Sequence, residues 1–152
     1  MKKTILFLGL IIGTIMALSS CGKKGCTDQN ANNYCDKCKK DDGSCTYKGQ
    51  VLWWWKQPFR DSCVAYSVAN VSVYLDNTFV GTIPVSAQYW SSEPSCDATG
   101  TLTVTKDLGK NKNGTYGFYL KFLDASANVI VTSPSINIQV TGNGCSADQL
   151  AW

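Results

Sequence analysis

The chain contains no histidine. That absence removes the Ser-His-Asp and Cys-His nucleophilic arrangements and the usual ligands of a catalytic zinc. Carboxylate pairs for glycoside hydrolysis have little to draw on. The acids of the chain's larger part are Asp61, Asp76, Glu93, Asp97, Asp107, Asp124 and Asp148, and they fall largely at turns. No glycine-rich segment follows a strand pattern and opens a helix, so a phosphate-cradling loop is missing too. Helical periodicity is absent after the first twenty residues. Charge of either sign is also scarce. Residues 1–20 hold Lys2, Lys3 and no acid, and the remaining 132 residues carry 12 basic and 11 acidic side chains, a net charge of +1. Nucleic acid is therefore excluded as a partner on electrostatic grounds. The expectation is a protein with no enzymatic role, no cofactor and no resident metal.

What the chain does have begins with a short basic start, Lys2-Lys3, and an almost wholly apolar run from Ile5 to Leu18. The run is too short and too poorly flanked for a transmembrane helix, but it suits the core of a signal peptide. It ends in Leu18-Ser19-Ser20-Cys21, which resembles the lipobox of bacterial lipoproteins. The resemblance implies cleavage after residue 20, diacylglycerol on the Cys21 sulfur and an acyl group on its new amino terminus. Several acyl chains make anchoring stable where one would be marginal. Gly22, rather than aspartate, follows the cysteine, which in that family implies the outer membrane. The acidic surface-export run of Bacteroidota-type lipoproteins is replaced by Gly22-Lys23-Lys24-Gly25, which implies a position facing the periplasm. Residues 1–20 are thus read as the signal peptide and 21–24 as the lipidated tether.

Apart from Cys21, seven cysteines remain: Cys26, Cys35, Cys38, Cys45, Cys63, Cys96 and Cys145. In an exported chain they read first as disulfides, and an odd number leaves at least one over. Four lie within residues 26–45, a polar stretch unable to build a core, which must be held by cross-links or a metal. Gly25-Cys26-Thr27-Asp28, Asn33-Tyr34 and Asp41-Asp42-Gly43-Ser44-Cys45-Thr46-Tyr47 resemble a short repeat common in exported bacterial proteins, generally without enzymatic activity. This copy, residues 25–48, departs from the repeat at Cys35 and Cys38. Cys26 with Cys45 is the natural pair, closing a loop whose cross-link stabilises by about 3 kcal/mol. Cys35 and Cys38 then pair with each other or stay reduced. Three other readings compete: a four-cysteine zinc site, a redox-active Cys35-Asp36-Lys37-Cys38, and calcium bound by Asp28, Asn30, Asp41 and Asp42.

From Gly49 the composition changes to short alternating runs of Val, Ile, Thr and aromatics separated by turn residues. Val71, Val73 and Leu75 alternate with polar neighbours, and Asp76-Asn77 offers a turn into Phe79–Ile83. Leu102 and Val104 belong to another run. Asn113-Gly114 reads as a hairpin turn before Thr115–Asp124, whose Tyr116, Phe118, Leu120 and Phe122 share one face. Ile136, Ile138 and Val140 line a further strand. About seven strands so spaced predict an all-β fold, an antiparallel β-sandwich over residues 49–152. Val51-Leu52-Trp53-Trp54-Trp55, Val80-Gly81-Thr82-Ile83, Glu93-Pro94-Ser95-Cys96, Gly100-Thr101-Leu102-Thr103-Val104 and Gly144-Cys145 resemble small exported domains of the transthyretin-like or carboxypeptidase-regulatory-like kind. That family tends to place cysteines at strand ends, which implies Cys96 with Cys145 and leaves Cys63 unpaired. Cys63 with Cys145 is the alternative.

Trp53, Trp54 and Trp55, with Trp90, form a candidate binding surface. On a strand Trp54 points opposite to its neighbours, so one face of the run packs on the core and the other is free to meet a sugar ring or a protein. The competing reading covers both faces, one by the second sheet and one by a loop such as Gln88-Tyr89-Trp90. An accessory or structural envelope lipoprotein, attached to the membrane by its lipid and packed against another envelope protein, is the leading expectation. A glycan- or protein-binding module is the alternative, and a metal or redox role for the cysteine-rich segment comes third.

Overall fold

The computed structural model describes residues 22–96 and 98–151. Cys21 and the apolar run before it lie outside the described residues. β-Branched and aromatic residues fill most of eight strands: β1 (Tyr47–Trp55), β2 (Asn70–Leu75), β3 (Thr78–Pro84), β4 (Leu102–Gly109), β5 (Asn113–Leu123), β6 (Val129–Thr132), β7 (Ile136–Thr141) and β8 (Cys145–Leu150). They form two sheets. The smaller has the order β4-β1-β8; the larger has the order β3-β2-β5-β6, with β7 also paired to β5. The fold is an all-β sandwich. Pairing is antiparallel except between β1 and β8, which run parallel with Trp53 opposite Asp148 and Trp55 opposite Leu150.

The long strand β5 carries two partners along one edge. Its first half pairs with β7 and its end with β6. Between these the edge is broken at Ser133-Pro134-Ser135, where proline supplies no N–H to a ladder. Ser133 bridges the break: its N–H donates to the Leu120 carbonyl and its Oγ accepts from the Leu120 N–H, both at 2.9 Å.

The core forms where the inner faces meet. Val51, Trp53 and Trp55 from β1 pack with Val71, Val73 and Leu75 from β2 and with Phe118, Leu120 and Phe122 from β5. Cys26, Ala31 and Tyr47 belong to the same cluster, so the cysteine-rich segment closes one part of the sandwich core. Tyr47, near the end of that segment, is also the first residue of β1.

Two local expectations fail. A helix, α1 (Gln57–Ala65), follows β1, although no helical period is visible there. It is only nine residues long, opens with Pro58 in its first turn, and buries just Phe59 and Cys63, one turn apart. Two apolar positions are too few to register as a period. Asn113-Gly114 is not a turn but the start of β5, opposite Thr141 and Val140. Gly109, at φ +59°, ends β4 instead. Gly114 makes room for a neighbour: a Cβ there would lie 2.6 Å from the Tyr116 hydroxyl and displace that ring.

Candidate functional site

The tryptophan run is placed by β1, the central strand of the smaller sheet. Alternation sends Trp53 and Trp55 into the core, where Trp53 meets Phe118 edge-on at 5.8 Å and Trp55 lies 5.7 Å from Phe59. Trp54 points to the outer face of the sheet. That face is covered by the connection between β3 and β4, which brings Trp90 and Cys96 over Leu52 and Trp54. The cover is fastened by the Trp90 N–H donating to the Trp55 carbonyl at 3.0 Å, and by the Thr103 hydroxyl donating to the Cys96 carbonyl at 2.8 Å. Trp53, Trp54 and Trp55 are 0%, 5% and 2% exposed, so they are not a binding surface. Trp90 is half-buried as part of their cover. The physical reason is that β1 runs Val51-Leu52-Trp53-Trp54-Trp55 without a polar residue, so both of its faces are apolar and both must be dry.

Disulfides join Cys26 to Cys45, Cys35 to Cys38, and Cys96 to Cys145. The four thiols of the short segment are thereby consumed in pairs, which takes away the thiolates a four-cysteine zinc site would need. Among the described residues Cys63 is the free cysteine, buried in α1, and burial pushes its thiol up to about 11. It is protonated and screened at neutral pH and so a poor nucleophile. Cys35 and Cys38 flank a turn with neither a strand before them nor a helix after them, unlike a thioredoxin-type pair.

In the cysteine-rich segment the polar residues are engaged structurally. Asp28 lies 2.6 Å from the Lys112 ammonium, accepts from the Asn30 N–H at 2.9 Å, and accepts from the Tyr47 hydroxyl at 2.8 Å. These donors, Lys112 foremost, pull its carboxyl down to about 2. Asn33 clips two chain segments, donating to the Ser44 carbonyl and accepting from the Thr46 N–H. Asp41 and Asp42 accept from the N–H groups of Gly43 and Ser44 in a turn where Gly43 has φ +73°. Gly25 sits where a Cβ would come within 2.6 Å of the Cys38 sulfur. Asp28 is thus committed to Lys112 and Tyr47, Asp41 and Asp42 to their own turn, and among the described residues no three metal-ligating side chains converge.

Two surface features were not anticipated from sequence. On the outer face of the larger sheet Tyr74 and Tyr119 stack at 4.9 Å and 4°, with Phe79 edge-on to Tyr74 and the Lys121 ammonium 4.7 Å from its ring centre. Each tyrosine spends one ring face on the other, which leaves little flat surface for a sugar. The second feature is β6. It is an edge strand whose Val129, Ile130 and Val131 are all exposed, as is Ile136 beyond the break. Edge strands normally carry charge or proline, and an apolar edge signals a contact surface. Its three consecutive apolar residues stand in the sequence, but nothing local marks their place at an edge. No family model, curated protein or solved structure matches the chain.

Proposed function

We propose that this protein is a lipid-anchored envelope protein without a catalytic role, whose sandwich serves as an accessory surface for another envelope protein. The observation that carries the reading is how soon folding begins after the lipid-bearing cysteine. The Lys39 N–H donates to the Lys23 carbonyl at 2.9 Å, and the Gly25 N–H donates to the Lys40 carbonyl at 3.1 Å. Backbone structure therefore starts two residues beyond Cys21, and the tether has no slack. A lipid on Cys21 would hold the stapled segment, and the sandwich packed on it, against the bilayer. Lys23, Lys24, Lys39 and Lys40 are brought together beside the anchor, where anionic headgroups would attract them.

The tryptophans support a structural rather than a sugar-binding role because both faces of their strand are covered. The exposed edge of β6 offers the apolar surface through which a protein partner would pack. The position assigned is the outer membrane, facing the periplasm. The test is the unreduced mass of the protein purified from membranes, with peptide mapping. A triacylated Cys21, three internal disulfides and one free thiol are expected, and a Cys21→Ser variant should leave the membrane fraction. An unlipidated Cys21, or a Cys21→Ser variant that stays with the membrane, would overturn the reading.

A further inference from the structure

A hollow of about 470 Å³ opens between the two sheets where β6 and β8 face each other. Its existence follows from the broken edge. Beyond Ser133-Pro134-Ser135, β7 lies against β8 and β1 and closes the sandwich, whereas β6 makes no comparable contact with them. Leu120 and Phe122 of β5 form the floor, Val131 and Ile136 one wall, and Leu150 the other. Into this apolar space β8 sends one charge. Asp148 stands opposite Trp53 in the parallel pair, and Trp53 faces the core, so Asp148 faces inward as well. It is half-buried, and among the described residues no hydrogen bond or ion pair satisfies its carboxylate. Among the described residues no other ionisable side chain lines the hollow. Burial raises its carboxyl above the ordinary value, which marks a charge short of a partner.

An apolar cleft of this size with a single convergent polar group is the usual make-up of a small-molecule site. From the cleft and its one unpaired carboxylate we infer that this protein binds small organic cations, a primary ammonium carried on an apolar body. The apolar body fills the space over Leu120 and Phe122, and the ammonium reaches Asp148. The inference does not depend on the lipid anchor or on a protein partner. It differs from the plain alternative, in which Asp148 is an inward charge that guards the edge strand β8 from pairing with another chain.

The experiment uses the folded, disulfide-bonded chain with tryptamine as probe and its hydroxyl counterpart, indole-3-ethanol, as the uncharged control. Binding is read from methyl resonances of Leu120, Val131, Ile136 and Leu150. The ammonium should bind roughly 10-fold more tightly than the hydroxyl compound, the effect of one charge-assisted hydrogen bond. Asp148→Asn should abolish that preference with the spectrum otherwise unchanged, and Val131→Trp, which fills the hollow, should abolish binding of both compounds. Equal affinity for the two, shifts confined to other regions, or no binding at all would overturn the proposal. So would an Asp148→Asn variant that dimerises while wild type shows no ammonium preference, since that is the signature of an edge guard.

Discussion

Trp53, Trp54 and Trp55 each bury an indole whose N–H has no acceptor among the described residues. An orphaned donor costs about 1–3 kcal/mol. Burying the ring removes 150–250 Å² from water, which at about 25 cal/mol per Å² is worth roughly 4–6 kcal/mol. The ring wins, but part of its gain is cancelled by its own nitrogen. At Trp54 the ring term can be read directly. Trp54→Ala should destabilise by about 3–5 kcal/mol, since it empties the space under Trp90. Trp54→Phe should cost clearly less, because it keeps an aromatic ring under Trp90 while, like the alanine variant, removing the unpaired donor. Urea unfolding of both variants checks it, and equal losses would mean that the ring's packing under Trp90 contributes nothing. Alternation in the sequence is enough to place Trp54 opposite its neighbours. It says nothing of whether that opposite face is wet, because the covering residues arrive some thirty-five residues later in the chain.

The element that settles the matter is the connection between β3 and β4, a long stretch without regular structure that behaves as a lid on the smaller sheet. Loops of such length in a small domain need fastening. This one is held by the Cys96–Cys145 bridge to the first residue of β8. Closing that span in the unfolded chain is worth about 4 kcal/mol by loop-closure entropy. Replacing both cysteines with alanine should therefore lower stability by up to that amount and let the lid lift. Trp54 would then meet water, giving a red-shifted tryptophan emission and faster iodide quenching. Unchanged emission and quenching would show that Trp90 and Thr103 hold the lid unaided. Elements with clear alternation, β2 to β5 and β7, are legible in the sequence, as is the Asp76-Asn77 turn, where both residues have positive φ. The helix α1 is not, because tertiary burial of Phe59 and Cys63 rather than a repeating pattern holds it. Gly114 misleads because a glycine needed for close packing against Tyr116 looks the same in sequence as one needed for a turn.

At the scale of the whole molecule, composition divides the chain at Gly49, yet the contacts that join its two parts cross that line. The stapled segment shares the core cluster through Cys26, Ala31 and Tyr47, and Asp28 reaches across to Lys112, between β4 and β5. No local pattern reveals a pairing between residues so distant in sequence, and so the apparent two-part protein is more tightly joined than its composition suggests. The joint carries a pH signature. Asp28 titrates near 2 in the folded protein, below its ordinary value of 3.8, held there first by Lys112 and then by the Asn30 N–H and Tyr47 hydroxyl. The folded state therefore binds fewer protons than the unfolded one between those two values. By linkage, the contribution of Asp28 is full above about pH 4 and fades as pH falls through about 2. Lys112→Met should move the Asp28 midpoint upward, as read by carboxyl carbon shifts in an acid titration, and should lower the melting temperature at pH 5 more than at pH 2. The Tyr47 and Asn30 contacts would survive, so the midpoint should stay below the ordinary carboxylate value. If instead Asp28 titrates at its ordinary value in the unaltered protein, the ion pair is not formed in solution. The segment and the sandwich would then be joined by the packing of Cys26, Ala31 and Tyr47 and by the backbone pairing of Tyr47 and Lys48.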